Sequence, residues 1–315
     1  MTTDVSQKRK KGRFWEWLFP ILSVIIGVTI LYVAQYGVAI AFVICRVDYT
    51  KYEGAFTTIY AIIAITLLLI YSKMSRVFYS DLKSGLLIKK PGTLDVVSTV
   101  IIAIGLLGIV SIYMMVVSIM AEQGGSSSVV AEQLEEYETN VDRYSEIAVE
   151  TVPFFDKFLD YIGIAILVPI AEELLFRGVI LGQLLKKYPA ALAILASATI
   201  FGLMHGISVH IGYALISGII IGCVYYFTSN IAMSTLVHMI FNFFGGTLSL
   251  ILTDGWFSIP EKITDSIFVA VPAGVTIKTA GVPVYSLSDA ASHKDEIDVL
   301  IICGGKEKKR NLFTK

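Results

Sequence analysis

Residues 159–185, LDYIGIAILVPIAEELLFRGVILGQLL, read as a membrane span with charge at its centre. Apolar residues fill both flanks, and Glu172, Glu173 and Arg177 interrupt them. A charged side chain at the middle of a span costs about 2.5–3.5 kcal/mol on insertion scales, so three together need partners and a purpose. Glu173 and Arg177 are four apart, which places them on one helix face where they can pair. Glu172 points about 100° away and has no local partner, which suits a general acid or base.

The rest of the chain agrees with the solvent this stretch implies. Hydrophobic residues make up 55% of the 315 residues and charged residues 16%, where a soluble domain carries about 25% charge. Apolar runs at 14–45, 55–72, 95–120, 159–183, 189–205, 211–228 and 231–253 are candidate spans. The expected fold is an all-α polytopic membrane protein, a bundle of about seven or eight transmembrane helices. Four regions follow: N-terminal transmembrane helices over 1–120, an acidic extramembrane segment over 121–158, a helical core over 159–253 and a tail over 254–315. The tail stretch IFVAVPAGVTIKTAGVPVYSL reads either as an eighth span or as short strands outside the membrane.

Net charge is −1, but the charges are segregated. KRKKGR at 8–13 and the lysine and arginine residues of 73–90 suit the cytoplasmic side, with the N-terminus inside. The segment 121–158 holds nine acidic residues against Arg143 and Lys157 and falls outside, and Lys186 and Lys187 return inside. The apolar run from Phe14 is too long for a signal-peptide core and reads as a retained span. Val130, Leu134, Tyr137, Val141 and Tyr144 recur at helical spacing among acidic residues, an amphipathic helix whose charged face reads as solvated. QGGSSS at 123–128 reads as a flexible connector. Gly218 and Gly222 give one helix face a small-residue stripe for close packing. Cys45, Cys223 and Cys303 show no metal or redox spacing, and nothing suggests a nucleic-acid partner.

Further polar groups lie on later spans. FGLMHG places His205 at the end of an apolar run, and HMIFNFF puts His238 and Asn242 four apart on one face. Taken singly, each has a bland explanation as an interfacial or packing residue; together with Glu172 they form a set that can do chemistry. One reading has Glu172 and His205 activating water while His238 and Asn242 donate to the oxyanion of a peptide carbonyl. The other has Glu172, His205 and His238 as ligands of a zinc ion with one open position. Helical spacing does not separate them. His210 and His293 match no such pattern and read as interfacial and tail residues.

The stretches EELLFRG, FGLMH and HMIFN resemble the EExxxR, FxxxH and HxxxN motifs of the CPBP intramembrane proteases, over roughly residues 165–245. That family includes type II CaaX prenyl endopeptidases and bacterial bacteriocin-processing and self-immunity proteins. The resemblance implies that Glu172 is the catalytic glutamate, that His205 helps activate water and that His238 and Asn242 stabilise the oxyanion or bind a metal. It implies a supporting role for Glu173 and Arg177, a membrane-associated peptide or protein substrate, and residence in a bacterial cell membrane. A non-catalytic self-immunity or chaperone-like relative is the alternative. A proton-coupled transporter is a third reading, but the chain shows none of the internal repeats expected of one. One tension stands: at about 1.5 Å per residue, straight helices put Glu172 roughly 21 Å, His205 roughly 27 Å and His238 roughly 12 Å from the cytoplasmic ends. A kink at Pro169, tilt or shifted helix ends must close that gap.

Overall fold

The computed structural model describes residues 2–49, 51–75, 90–125, 128–150, 153–206, 209–248 and 251. Every regular element among them is helical. We number eight helices: α1 Thr2–Ile44, α2 Glu53–Ser75, α3 Thr93–Gly124, α4 Val129–Glu150, α5 over 154–184, α6 Ala190–Met204, α7 Val209–Thr228 and α8 Ile231–Asn242. Inside a bilayer no water satisfies a free backbone group, so apolar stretches of this length have little choice but the helix. Ile21–Ile44, Glu53–Ser72, Thr93–Gly124 and Val209–Thr228 are each long and apolar enough to cross. Residues 190–204 and 231–247 are shorter apolar helices. The chain is therefore a polytopic helical membrane protein. Its tail, with the question of an eighth span, lies outside the described residues.

Helix ends follow local chemistry. Asn230 opens α8 by accepting the Ala232 amide at 3.0 Å, the usual side-chain cap. At the start of α3, Asp95 reaches back to the Gly92 amide at 2.9 Å. α6 begins after Pro189 and ends at His205, where Gly206 turns the chain with φ +90°, a conformation that favours glycine.

α5 departs from regularity. Gly163–Leu167 and Leu174–Leu181 are π-helical, and ordinary α-helix separates them over Val168–Glu173. Pro169 has no amide to offer the carbonyl one turn earlier, so a widened turn beside it has a physical cause. The two π stretches flank Glu172 and Glu173, which lie at the end of the intervening α turn.

Two buried clusters hold the bundle. One gathers α1, α2, α5, α6 and α7 around Leu68, Leu175, Phe176, Ile180 and Phe201. The other joins α3, α4, α7 and α8 around Leu106, Met114, Ile221 and Val237. Lipid is as apolar as leucine, so close packing and hydrogen bonds decide helix association here. The glycine stripe of α7 shows it: a Cβ at Gly218 would sit 3.1 Å from Ala198, and one at Gly222 would sit 3.1 Å from Ile194. α4 packs by Leu134, Val130 and Tyr137, on the face the periodicity marks; the side chains of Val141 and Tyr144 lie outside the described residues. α3 runs through Gln123 and Gly124, so the expected connector is shorter than its composition suggests.

Candidate active site

Glu173 is the electrostatic centre of the bundle. Its Oε1 forms an ion pair with Arg177 Nη1 at 2.8 Å, the expected pairing within one turn. The same oxygen accepts from His238 Nδ1 at 3.0 Å, a contact across 65 residues of sequence. Ser234 of α8 adds a hydroxyl beside this carboxylate. Glu173 is fully buried, as is Arg177 within a percent, and a buried charge is tolerable only when paired in this way. Arg177 spends the rest of its fork on the Gly218 carbonyl, 3.1 Å from Nη2. Its guanidinium also lies over the Phe201 ring, 5.2 Å from the centroid, a cation–π contact. Buried to this degree, Arg177 is not presented to a substrate.

Glu172 is placed differently. Its side chain keeps 17% exposure against 0% for Glu173, so of the two carboxylates only this one can be reached. Its Oε2 stands 3.5 Å from His238 Nε2. His238 thus bridges both glutamates, one ring nitrogen to each. Glu173 is ion-paired with Arg177, and a carboxylate only accepts, so the His238 Nδ1–H donates to it. In the neutral ring Nε2 is then a lone pair facing a carboxylate oxygen. At 3.5 Å the pair is too long for a good direct hydrogen bond. The sequence offered Glu172 no local partner; the fold supplies this one.

The straight-helix tension is resolved at this contact. Glu172 and His238 are neighbours at 3.5 Å despite the depths counted from their helix ends.

His205 and Asn242 complete the set less directly. His205 donates Nδ1–H to the Phe201 carbonyl at 2.8 Å, which orients the ring and leaves Nε2 for other partners. Its ring lies 4.4 Å from that of Phe201, and Phe201 in turn lies 5.9 Å from His238. One aromatic ring therefore contacts both imidazoles. Asn242 donates Nδ2 to the Ile164 carbonyl at 3.1 Å, inside the first π stretch of α5, and retains its second N–H. Among the described residues no three His, Cys, Asp or Glu side chains are grouped as a metal site.

Several neighbours had no role assigned from the sequence. Tyr60, whose phenol on α2 lies within electrostatic reach of Glu172, is an ordinary aromatic in an apolar run, and Phe201 is the phenylalanine of FGLMH, to which the sequence reading gives no role of its own. His210, read as interfacial, stands with its ring 5.1 Å from that of His205.

Comparison with known proteins bears on the same residues. The profile of the type II CAAX prenyl endopeptidase Rce1-like family matches residues 154–244, the stretch that carries all six polar site residues. Residues 154–244 are thus similar to that family, and the rest of the chain lies outside the match. The UPF0177 protein YxdF of Lactococcus lactis is 38% identical over 97 residues, 30% of this chain and 52% of that relative. The membrane-embedded CAAX protease MroQ of Staphylococcus aureus is 29% identical over 216 residues, 64% of this chain and 79% of that relative. The match to YxdF thus spans about half of its length. No solved structure matches the chain significantly.

Proposed function

We propose that the protein is an intramembrane endopeptidase of a bacterial membrane, with Glu172 activating the water that attacks a peptide carbonyl. One observation carries this reading. Of two adjacent glutamates, Glu173 is consumed in a buried network with Arg177 and His238, and Glu172 stays accessible beside the same histidine. That division of labour is what a site needs when one carboxylate positions and the other moves a proton.

The chemistry follows from the donors. Glu172 takes a proton from water, with His205 Nε2 holding the water from the opposite side. The oxygen attacks the carbonyl carbon, and the developing oxyanion draws on the second N–H of Asn242 and on His238 when its Nε2 carries a proton. The C–N bond then breaks, and the proton held by Glu172 passes to the leaving amine. Fixing His238 between two carboxylates keeps its ring from rotating, so the donor costs little to reorganise at the moment of reaction. The substrate is a membrane-associated peptide or protein, in keeping with the name borne by MroQ. No step here runs through a metal; a zinc ion on Glu172, His205 and His238 is the rival arrangement.

The test is cleavage of a panel of membrane-anchored peptides by the purified full chain in detergent. We expect Glu172→Ala and His205→Ala each to lower turnover by about 100-fold or more, and a chelator to leave the wild type unchanged. Chelator sensitivity restored by zinc would move the mechanism to the metal. Equal behaviour of wild type and both variants across the panel would remove the protease reading and favour a non-catalytic relative.

A further inference from the structure

The mechanism above uses His205 but leaves open what holds it at its outer edge, where α6 has already ended. Beyond Gly206 the chain re-enters helix at Val209, and His210 in the first turn of α7 comes back toward His205, ring to ring at 5.1 Å. His210 is itself held. It stacks on Tyr213 at 4.4 Å and 28°. Tyr137 of α4 meets both rings edge-on, 6.3 Å from each, and its hydroxyl is hydrogen-bonded with that of Tyr213. The turn carrying these groups is anchored to α3, since Tyr113 donates its hydroxyl to the Val209 carbonyl at 3.0 Å. A Cβ on Gly212 would collide with the Tyr113 ring, so helix and tyrosine meet as closely as glycine allows.

We propose that His210 is a positioning residue for His205, gripped by Tyr137 and Tyr213, so that the extramembrane helix α4 fixes the water-activating side of the site. The inference rests on the peptidase reading for its consequence on turnover, though not for its geometry. The acidic face of α4 takes no part in it; the working groups are the rings of Tyr137, Tyr213 and His210. Stacked and edge-on ring pairs have preferred geometries, which aliphatic contacts lack. Catalytic geometry is sensitive enough that about 1 Å of misplacement from a remote change can cost about 100-fold.

The experiment uses the full chain in detergent with 15N-labelled histidine; with four histidines in the chain, each ring can be assigned by single substitutions. Turnover of a cleaved peptide is measured alongside. We expect His210→Ala to lower kcat about tenfold with KM within about twofold, the signature of a misplaced catalytic group rather than lost binding. The His205 ring-nitrogen resonances should shift while those of His238 stay in place. Tyr137→Ala should reproduce both effects from another helix, and His210→Phe, which keeps a flat ring on Tyr213, should restore kcat to within about threefold of wild type. A fall in kcat with His205 resonances unmoved, a shift without a fall, or a failure of phenylalanine to rescue would each overturn the proposal. If Glu172→Ala cleaves like wild type, the peptidase reading is what has failed, and the His205 resonances still report on the bracket.

Discussion

Replacing Glu173 by Gln would leave the Arg177 guanidinium buried without its carboxylate, whereas the same change at Glu172 would remove only an accessible group. Breaking a buried pair on one side costs about 3–5 kcal/mol, so Glu173→Gln should lower the melting temperature in detergent markedly. Glu172→Gln should leave the melting temperature near that of wild type and remove cleavage. Paired thermal-shift and turnover measurements separate the two, and the reverse pattern would make Glu173 the working carboxylate. Part of this was legible in the sequence: the four-residue spacing from Glu173 to Arg177 is a helix rule, and it predicts the 2.8 Å contact found. The bridge from His238 to both glutamates was not legible. It joins residues 65 apart, and no periodicity within one helix says which way a second helix is turned. Phe201 was legible as the phenylalanine of FGLMH, but its contacts with two imidazoles were not, because they depend on a flat ring among polar neighbours and not on any polar atom.

The junction between α2 and α5 shows how an element is placed. Asp156, in the first turn of α5, accepts the amides of Gly54 and Ala55 at 2.9 and 2.8 Å and so caps the start of α2 from another helix. In the sequence Asp156 was one more acid of a segment read as solvated; in the fold it is 4% exposed. Thr58 tightens the same joint through the Leu159 carbonyl at 2.9 Å. Gly54 is indispensable there, because a Cβ would collide with the Asp156 backbone carbonyl. Asp156→Ala should cost about 0.5–2 kcal/mol, as loss of a cap does. Gly54→Ala should cost more, because two backbones must separate. Thermal unfolding of both variants checks the order, and an Asp156→Ala change larger than Gly54→Ala would refute the steric argument. Helix positions elsewhere were readable from hydropathy: the span expected at 189–205 is Ala190–Met204, and that at 211–228 is Val209–Thr228. The π stretches of α5 were not, beyond the hint of Pro169, since a one-residue widening of a turn leaves hydropathy unchanged.

At the scale of the molecule, the charge-based topology and the helix contacts can be set against each other, because they are independent. With the N-terminus in the cytoplasm, alternation puts the starts of α2 and α5 outside, and Asp156 does cap α2. It puts the starts of α3 and α8 inside, and Thr99 of α3 meets Met233 of α8 at 3.5 Å. It puts α4 and the link from α6 to α7 outside, and Tyr137 does meet His210. These contacts fix which ends share a side; the basic clusters propose which side that is. α6, at 15 residues, spans about 22 Å, short of the roughly 30 Å hydrocarbon core. If α6 starts at the cytoplasmic face, as the charge rule expects, it leaves His205 short of the outer surface. Cys45 lies exposed just past the C-terminal end of α1 and serves as a native reporter. In a chain with Cys223 and Cys303 changed to Ser, a membrane-impermeant maleimide should label Cys45 on intact cells, and a cysteine placed at Lys187 should label only after permeabilisation. Both labels reversed would invert the molecule without disturbing any helix contact, and the site would then open toward substrates presented from the cytoplasm. Both reacting from the same side would break the alternation itself, because Cys45 and Lys187 stand at opposite ends of the bundle.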